Sequence, residues 1–175
     1  PGEMELLIQA AKHSGQPLSV LLIQYNDFPD RWKSTLNHIS RANKSGIKTT
    51  GQVGSRPIGV LMGFNTSVNP FSSHEAWQKI KHLNNKERNN IIKNDISIRN
   101  SLINDVPDNG HTKWIQNTFS LTYLLKEPLN YEPTKEMSIN SIALKLNKEP
   151  WEIILDHFTS SENDEFLMHT FENYT

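Results

Sequence analysis

Apolar residues recur along this chain in two rhythms, and the changes between them mark out its elements. From Glu3 to Ser14, the residues Leu6, Leu7, Ala10 and Ala11 fall on one face at helical spacing, and Ser14-Gly15 supplies a stop, which predicts an amphipathic helix. Leu18 to Gln24 is nearly all apolar, the pattern of a strand covered on both faces in a parallel sheet. Pro29-Asp30 then opens a second helix in which Trp32, Leu36, Ile39 and Ala42 recur at three- and four-residue intervals, closed by Gly46 as a left-handed cap. Ile47 to Gln52 reads as the next strand. Strand, helix and strand in that order predict a βαβ unit, whose right-handed crossover makes the two strands parallel.

Ligands of such folds gather at the C-terminal ends of the strands, which places Gln24, Tyr25, Asp27, Gln52, Ser55 and Arg56 on one rim. The stretch from Gly51 to Phe64 carries glycines at 51, 54, 59 and 63 around Arg56-Pro57, as a strand does when it feeds a shaped loop. Arg56 is a rigid fork suited to a carboxylate, and an ordinary turn is the competing use of the same glycines. Two strands cannot close a barrel by themselves.

Beyond Phe64 the rhythm becomes that of short helices. Asn69-Pro70-Phe71 is a turn, and Ser72 with Glu75 three residues later predicts a capping box ahead of Trp77 and Ile80. Lys86 to Lys93 and Ile96 to Asn104 read as two helices, the second capped by Asp95; Val106 to Thr112 is a loop around Pro107-Asp108-Asn109-Gly110. Trp114 to Leu125 has mixed periodicity, with a strand expected near Phe119 to Leu124. Ser138 caps a helix carrying Ile139, Ile142, Ala143 and Leu146, and Pro150 begins another that buries Trp151, Ile154, Leu155 and Phe158. Glu165 to Phe171 fits either period.

Composition narrows the chemistry. The 175 residues suffice for one domain with a modest core, since only 35% are hydrophobic and the mean hydropathy is −0.59. A net charge of −1, from 18 basic and 19 acidic residues, gives no electrostatic pull toward nucleic acid or an anionic membrane. A pI near 6.8 leaves self-association little opposed at neutral pH. With no cysteine, disulfides, thiolate zinc sites and cysteine nucleophiles drop out, which fits a cytoplasmic location. The longest apolar run, near Leu18 to Ile23, is far too short to span a bilayer.

None of the seven histidines stands in a His-x-His or His-Glu-x-x-His motif, so no pair has the spacing that aims two imidazoles at one ion. Nor is there a Gly-x-Ser-x-Gly elbow, a dinucleotide fingerprint or a phosphate loop. Trp32, Trp77, Trp114 and Trp151 sit among apolar neighbours, as core tryptophans do.

Several stretches, taken in order, resemble one branch of the amidohydrolase family, that of the D-aminoacylases (N-acyl-D-amino-acid deacylases). They are Gln16 to Gln24, Pro29-Asp-Arg-Trp32, Gly51 to Phe64, Asn69-Pro-Phe71, Tyr131-Glu-Pro133, Ser138-Ile139 and Pro150 to Asp156. The resemblance covers nearly the whole chain. It implies an α/β fold: part of a β/α (TIM-type) barrel with parallel strands over 1–64, a largely helical insertion over 65–130 covering the active site, and a helical return segment over 131–175.

The implied activity is zinc-dependent cleavage of the C–N bond of N-acyl amino acids, with Arg56, Gln52, Gln24 and Tyr25 as candidate substrate contacts. The family's metal-binding His-x-His and its late catalytic aspartate have no counterpart here, so the chain reads as an interior piece. No catalytic residue and no metal ligand or cofactor is assigned to it, and it is expected to be inactive alone. At the ends of the two strands this chain carries Gln24, Tyr25 and Gln52, where relatives place a histidine on the first. The alternative is a non-catalytic helical interaction module that self-associates as a homo-oligomer, covering exposed strand edges.

Overall fold

In a computed structural model, residues 2–54 and 56–174 are described. The fold is mixed α/β, and the chain divides into two compact units, residues 1–59 with 170–175 and residues 60–169.

The first unit begins with helix α1 (Glu3–Ser14), ended by Gly15 in the left-handed conformation at φ 68°. Strand β1 (Leu18–Leu21), helix α2 (Arg31–Lys44) and strand β2 (Thr49–Gln52) follow. The strands are parallel, with Leu18 opposite Thr49 and Leu21 opposite Gln52, as the βαβ reading requires. Gly46 turns the chain out of α2 at φ 80°, a conformation that glycine adopts without strain. Asn43 fastens that turn: its Nδ2 donates to the Thr49 carbonyl at 2.8 Å and its Oδ1 accepts the Thr49 N–H at 2.9 Å.

β1 differs from the expected doubly covered strand. Its burial alternates and Leu21 is 60% exposed, because β2 is its only partner among the described residues and one face carries no second layer. It also stops at Leu21, three residues short of Gln24.

The second unit holds the large core. Strand β3 (Ile58–Met62) leads into α3 (Glu75–Ile80), α4 (Asn85–Asn94), α5 (Ile96–Asn104) and α6 (Gly110–Asn117). A 3₁₀ turn (Phe119–Leu121) precedes strand β4 (Thr122–Leu125), and helices α7 (Ile139–Leu146) and α8 (Pro150–Phe158) come before strand β5 (Phe166–Glu172). The sheet order is β3-β5-β4, with β4 and β5 antiparallel and Thr122 opposite His169. Neither this sheet nor the parallel pair closes into a barrel among the described residues.

Met62, Phe71, Ile92, Leu102, Ile115, Ile154, Leu155 and Leu167 pack together in this core, each essentially without solvent contact. At about 1.5–3 kcal/mol for each fully buried large side chain, it outweighs any single polar contact in the unit. It runs through both the expected insertion and the expected return segment. Ring packing of Phe64 on Trp77 and Phe158, each at 4.8 Å, stitches the start of the unit to its later helices.

Capping departs from expectation at one helix. His74 rather than Ser72 is the N-cap of α3 and makes no side-chain cap bond, since the turn after Pro70 holds Ser72 outside the helix and Gln78 takes its carbonyl at 2.6 Å. The reciprocal box belongs to α4 instead, where Asn84 Oδ1 accepts the Glu87 N–H at 2.9 Å and Glu87 answers to the Asn84 N–H. Asp95 caps α5 as expected, through the Ser97 and Ile98 amides.

Candidate functional site

The parallel register sets the C-terminal ends of β1 and β2 side by side, and the Leu22 N–H donates to the Gln52 carbonyl at 2.9 Å. The chain beyond β1 is then held by the last residues described. Gln24 donates its backbone N–H to Asn173 Oδ1 at 2.9 Å, and its carbonyl accepts the Asn173 N–H at 3.1 Å. One residue pair thus exchanges two bonds, as partners in a sheet do, except that one acceptor is a side chain.

Asn173 can do this because it sits at φ 64°, a left-handed conformation that asparagine tolerates better than most residues. Beside it, Glu172 Oε2 accepts the Asn26 N–H at 2.8 Å, and Asn26 Nδ2 donates to the Phe171 carbonyl at 2.9 Å. A methyl group placed on Gly54 would lie 3.8 Å from Asn173 Nδ2 and 3.4 Å from the Arg56 carbonyl, so the loop after β2 passes close to the same asparagine. Asn173 therefore binds the chain beyond β1 and lies near the loop beyond β2.

The four expected contact residues are distributed unevenly around this rim. Gln24 belongs to it through its backbone, while its Nε2 reaches only the Pro29 carbonyl at 3.5 Å. Arg56 is exposed and makes no ion pair among the described residues. Gln52 turns back along β1 and donates to Ser19 Oγ at 3.0 Å. Tyr25 faces a cleft of about 250 Å³ walled by α1, β1 and the start of α2, with the Arg31 guanidinium 5.2 Å from its ring centre. Ser55 lies outside the described residues.

Sequence reasoning missed Asn26, Glu172 and Asn173, the groups that organise the rim. The available signal was a Glu-Asn pair closing an apolar stretch, where an asparagine ends a strand in the left-handed conformation.

Polar groups buried elsewhere serve packing. Arg88 is 1% exposed, with its guanidinium 4.9 Å from the Phe64 ring centre and 5.0 Å from that of Trp77. It donates to the carboxamide oxygens of Asn65 and Asn85, which pass the interaction on by donating to Asp164 Oδ1 at 2.6 and 3.0 Å. The cation thus reaches a carboxylate through two amides, and burial lowers its pKa.

Three buried histidines have pKa values lowered chiefly by burial: His74, His157 and His169, the last pushed down to about 4. His169 Nδ1 lies 3.1 Å from Thr122 Oγ1, and its ring is 4.4 Å from that of Trp114. Among the described residues no three His, Asp or Glu side chains come together as a group able to hold a metal ion, so the residues present do not fit a zinc site. No described helix is long and apolar enough to cross a membrane. Comparison with protein-family models, curated proteins and solved structures finds no match.

Proposed function

We propose that the chain is part of a metal-dependent amidohydrolase that cleaves the C–N bond of N-acyl amino acids, and that it supplies substrate contacts rather than the reactive centre. The observation that carries this reading is the parallel β1-α2-β2 unit. It sets the exits of two strands side by side, the position at which β/α barrels present ligand contacts, with an exposed arginine, in no ion pair among the described residues, on the loop beyond. The resemblance of ordered sequence stretches to D-aminoacylases is what suggests the reaction class.

In this reading Arg56 binds the substrate carboxylate through two parallel N–H bonds, Gln52 and Gln24 offer amide donors and acceptors, and Tyr25 lines the approach. A zinc-bound water would supply the nucleophile in such an enzyme, with metal and general base held by residues other than these. The isolated chain has no turnover.

Titration of the ¹⁵N-labelled chain with N-acetyl-D-alanine tests the substrate role. Saturable amide shifts are expected at Gln24 and from Gln52 to Gly54, absent with the methyl ester and absent in Arg56→Ala. Identical shifts in Arg56→Ala would remove Arg56 from the site. Release of acetate by the chain alone, with zinc added, would contradict the division of labour.

A second reading is favoured by the open parallel pair, where Leu21 is 60% and Val53 67% exposed beside unpaired strand edges. It is a non-catalytic module whose first unit self-associates. Light scattering showing a monomer at high concentration would eliminate it.

A further inference from the structure

Of the asparagines in this chain, Asn109 alone is followed by a glycine, in the turn Pro107-Asp108-Asn109-Gly110 that leads into α6. Both residues are exposed, and Gly110 sits at φ 56° in the left-handed region. Asn109 stands at the N-cap of α6, yet its side chain makes no cap bond. The Gly110 N–H, as the first of the helix, has no acceptor within it.

Many of the other asparagines have work to do. Asn43 binds Thr49 on both sides, and Asn65 and Asn85 link Arg88 to Asp164. Asn69 joins the Phe64 carbonyl to the Phe71 amide, and Asn89 donates to the Ser161 carbonyl at 2.6 Å. Asn109 combines a free carboxamide with a neighbour that has no Cβ.

That combination favours an intramolecular reaction. The Gly110 nitrogen and Asn109 Cγ close a five-membered ring when they join, so the nucleophile is held close to its target by the chain itself. Their approach turns the peptide plane between them against the following residue, and glycine hinders that turn least.

We propose that the Asn109-Gly110 bond is a self-modification site, at which the chain deamidates with water as the only co-reactant. The Gly110 nitrogen loses its proton to solvent base and attacks Asn109 Cγ. The new N–Cγ bond forms, the carboxamide C–N bond breaks, and the leaving nitrogen takes up a proton and departs as ammonia. Water then opens the cyclic imide. Opening at the side-chain carbonyl gives aspartate; opening at the main-chain carbonyl gives isoaspartate, whose backbone runs through the former side chain. One water is consumed and one ammonia released in all.

The two products act on α6 in opposite directions. Aspartate is a preferred N-cap, and its charge faces the positive end of the helix. Isoaspartate lengthens the backbone by one carbon and displaces the carbonyl that accepts the Lys113 N–H at 3.1 Å. Thr112 is buried with its Oγ1 donating to the Pro70 carbonyl at 2.6 Å, so the first turn is anchored and has little freedom to absorb that extra length.

The test incubates the full chain in ¹⁸O-water at mildly alkaline pH, folded and in urea, and locates the label by peptide mass spectrometry. Label is expected first at Asn109, about tenfold faster than at any other asparagine, with both products present and at similar rates in the two conditions. Amide exchange within α6 should be about threefold slower in Asn109→Asp than in the parent chain. The proposal is overturned by label entering another asparagine first, or by aspartate without isoaspartate, which would mean direct hydrolysis and no ring. A folded rate more than about tenfold below that in urea would also overturn it, because the turn would then hold the amide away from its target. Unchanged exchange in Asn109→Asp would overturn the opposed effects on α6.

Discussion

The two units of this chain are held in different ways. In the second, a continuous cluster from Met62 to Leu167 excludes water, and even an arginine is buried against two aromatic rings. In the first, the buried apolar side chains are Ala11, Ile23, Ile39 and Ala42, while Leu6, Leu21, Phe28 and Val53 are each more than half exposed. Its cohesion comes instead from directed polar contacts, such as Asn43 on Thr49 and Asn173 on Gln24. A dense core tolerates a buried cation when every neighbour is fixed; a thin one depends on groups that can be deleted singly.

The largest expected effect is at Arg88. Arg88→Ala should lower the stability of the second unit by about 3–5 kcal/mol, the range for breaking a buried charged network. Arg88→Met, which keeps much of the volume packed against Phe64 and Trp77, should lose markedly less. Urea unfolding followed by tryptophan fluorescence separates the two variants. Equal losses would mean that the carboxamide bonds, not the packing, dominate.

Acid should divide the units by sign. His169 has a folded pKa of about 4 against an ordinary 6.5, so the unfolded chain binds the proton more readily. Its contribution is complete above pH 6.5 and disappears as pH falls toward 4, on the order of 3 kcal/mol. His74 and His157, shifted the same way, reinforce the trend.

In the first unit, His38 Nδ1 faces the Ser34 carbonyl at 2.8 Å and Nε2 faces Glu5 Oε1 at 2.7 Å. The Ser34 and Glu5 bonds raise the His38 pKa above 6.5, and the His38 bond lowers that of Glu5 below 4.5. The His38 contribution is complete below pH 6.5 and disappears as pH rises through the raised value. The Glu5 contribution is complete above pH 4.5 and disappears as pH falls through the lowered one. Between those limits α1 is held best, and hydrogen exchange from pH 5 to 8 should show α1 loosening on the alkaline side. Loss of α1 protection together with that of Leu155 on acidification would refute the contrast.

The smallest effect concerns the rim. Asn173→Gly keeps the left-handed backbone and removes one hydrogen bond, for a loss of about 1 kcal/mol. Faster amide exchange is expected at Gln24, with that of Leu155 unchanged. Asn173→Asp, which retains the acceptor, should restore the protection.

What could be read in advance follows the range of the interaction. The bounds of α1 and α5, the left-handed Gly46 and the caps at Asp95 and Ser138 all depend on neighbours within a few residues, and each was legible. Ser72-x-x-Glu75 misled because a cap needs backbone direction as well as spacing, and the turn after Pro70 controls that direction. β5 was ambiguous because its apolar residues satisfy both periods; pairing with β4 decides in favour of the strand. The contact between Gln24 and Asn173 spans 149 positions, beyond the reach of any local pattern. The glycines and Arg56-Pro57 marked a loop after β2, but nothing local showed that Gln52 turns back toward Ser19.

The order of synthesis gives the middle strand of the three-stranded sheet one more consequence. β5 follows β3 and β4 in chain order and so leaves the ribosome after both, yet both lie against it, and Leu167 belongs to the core they help to cover. A nascent chain stalled before residue 166 would expose the greasy flanks of both waiting strands, and the exit of β1 would still lack Asn173. Each unit waits for the same short segment, so chaperone demand from these strands should fall once it has emerged.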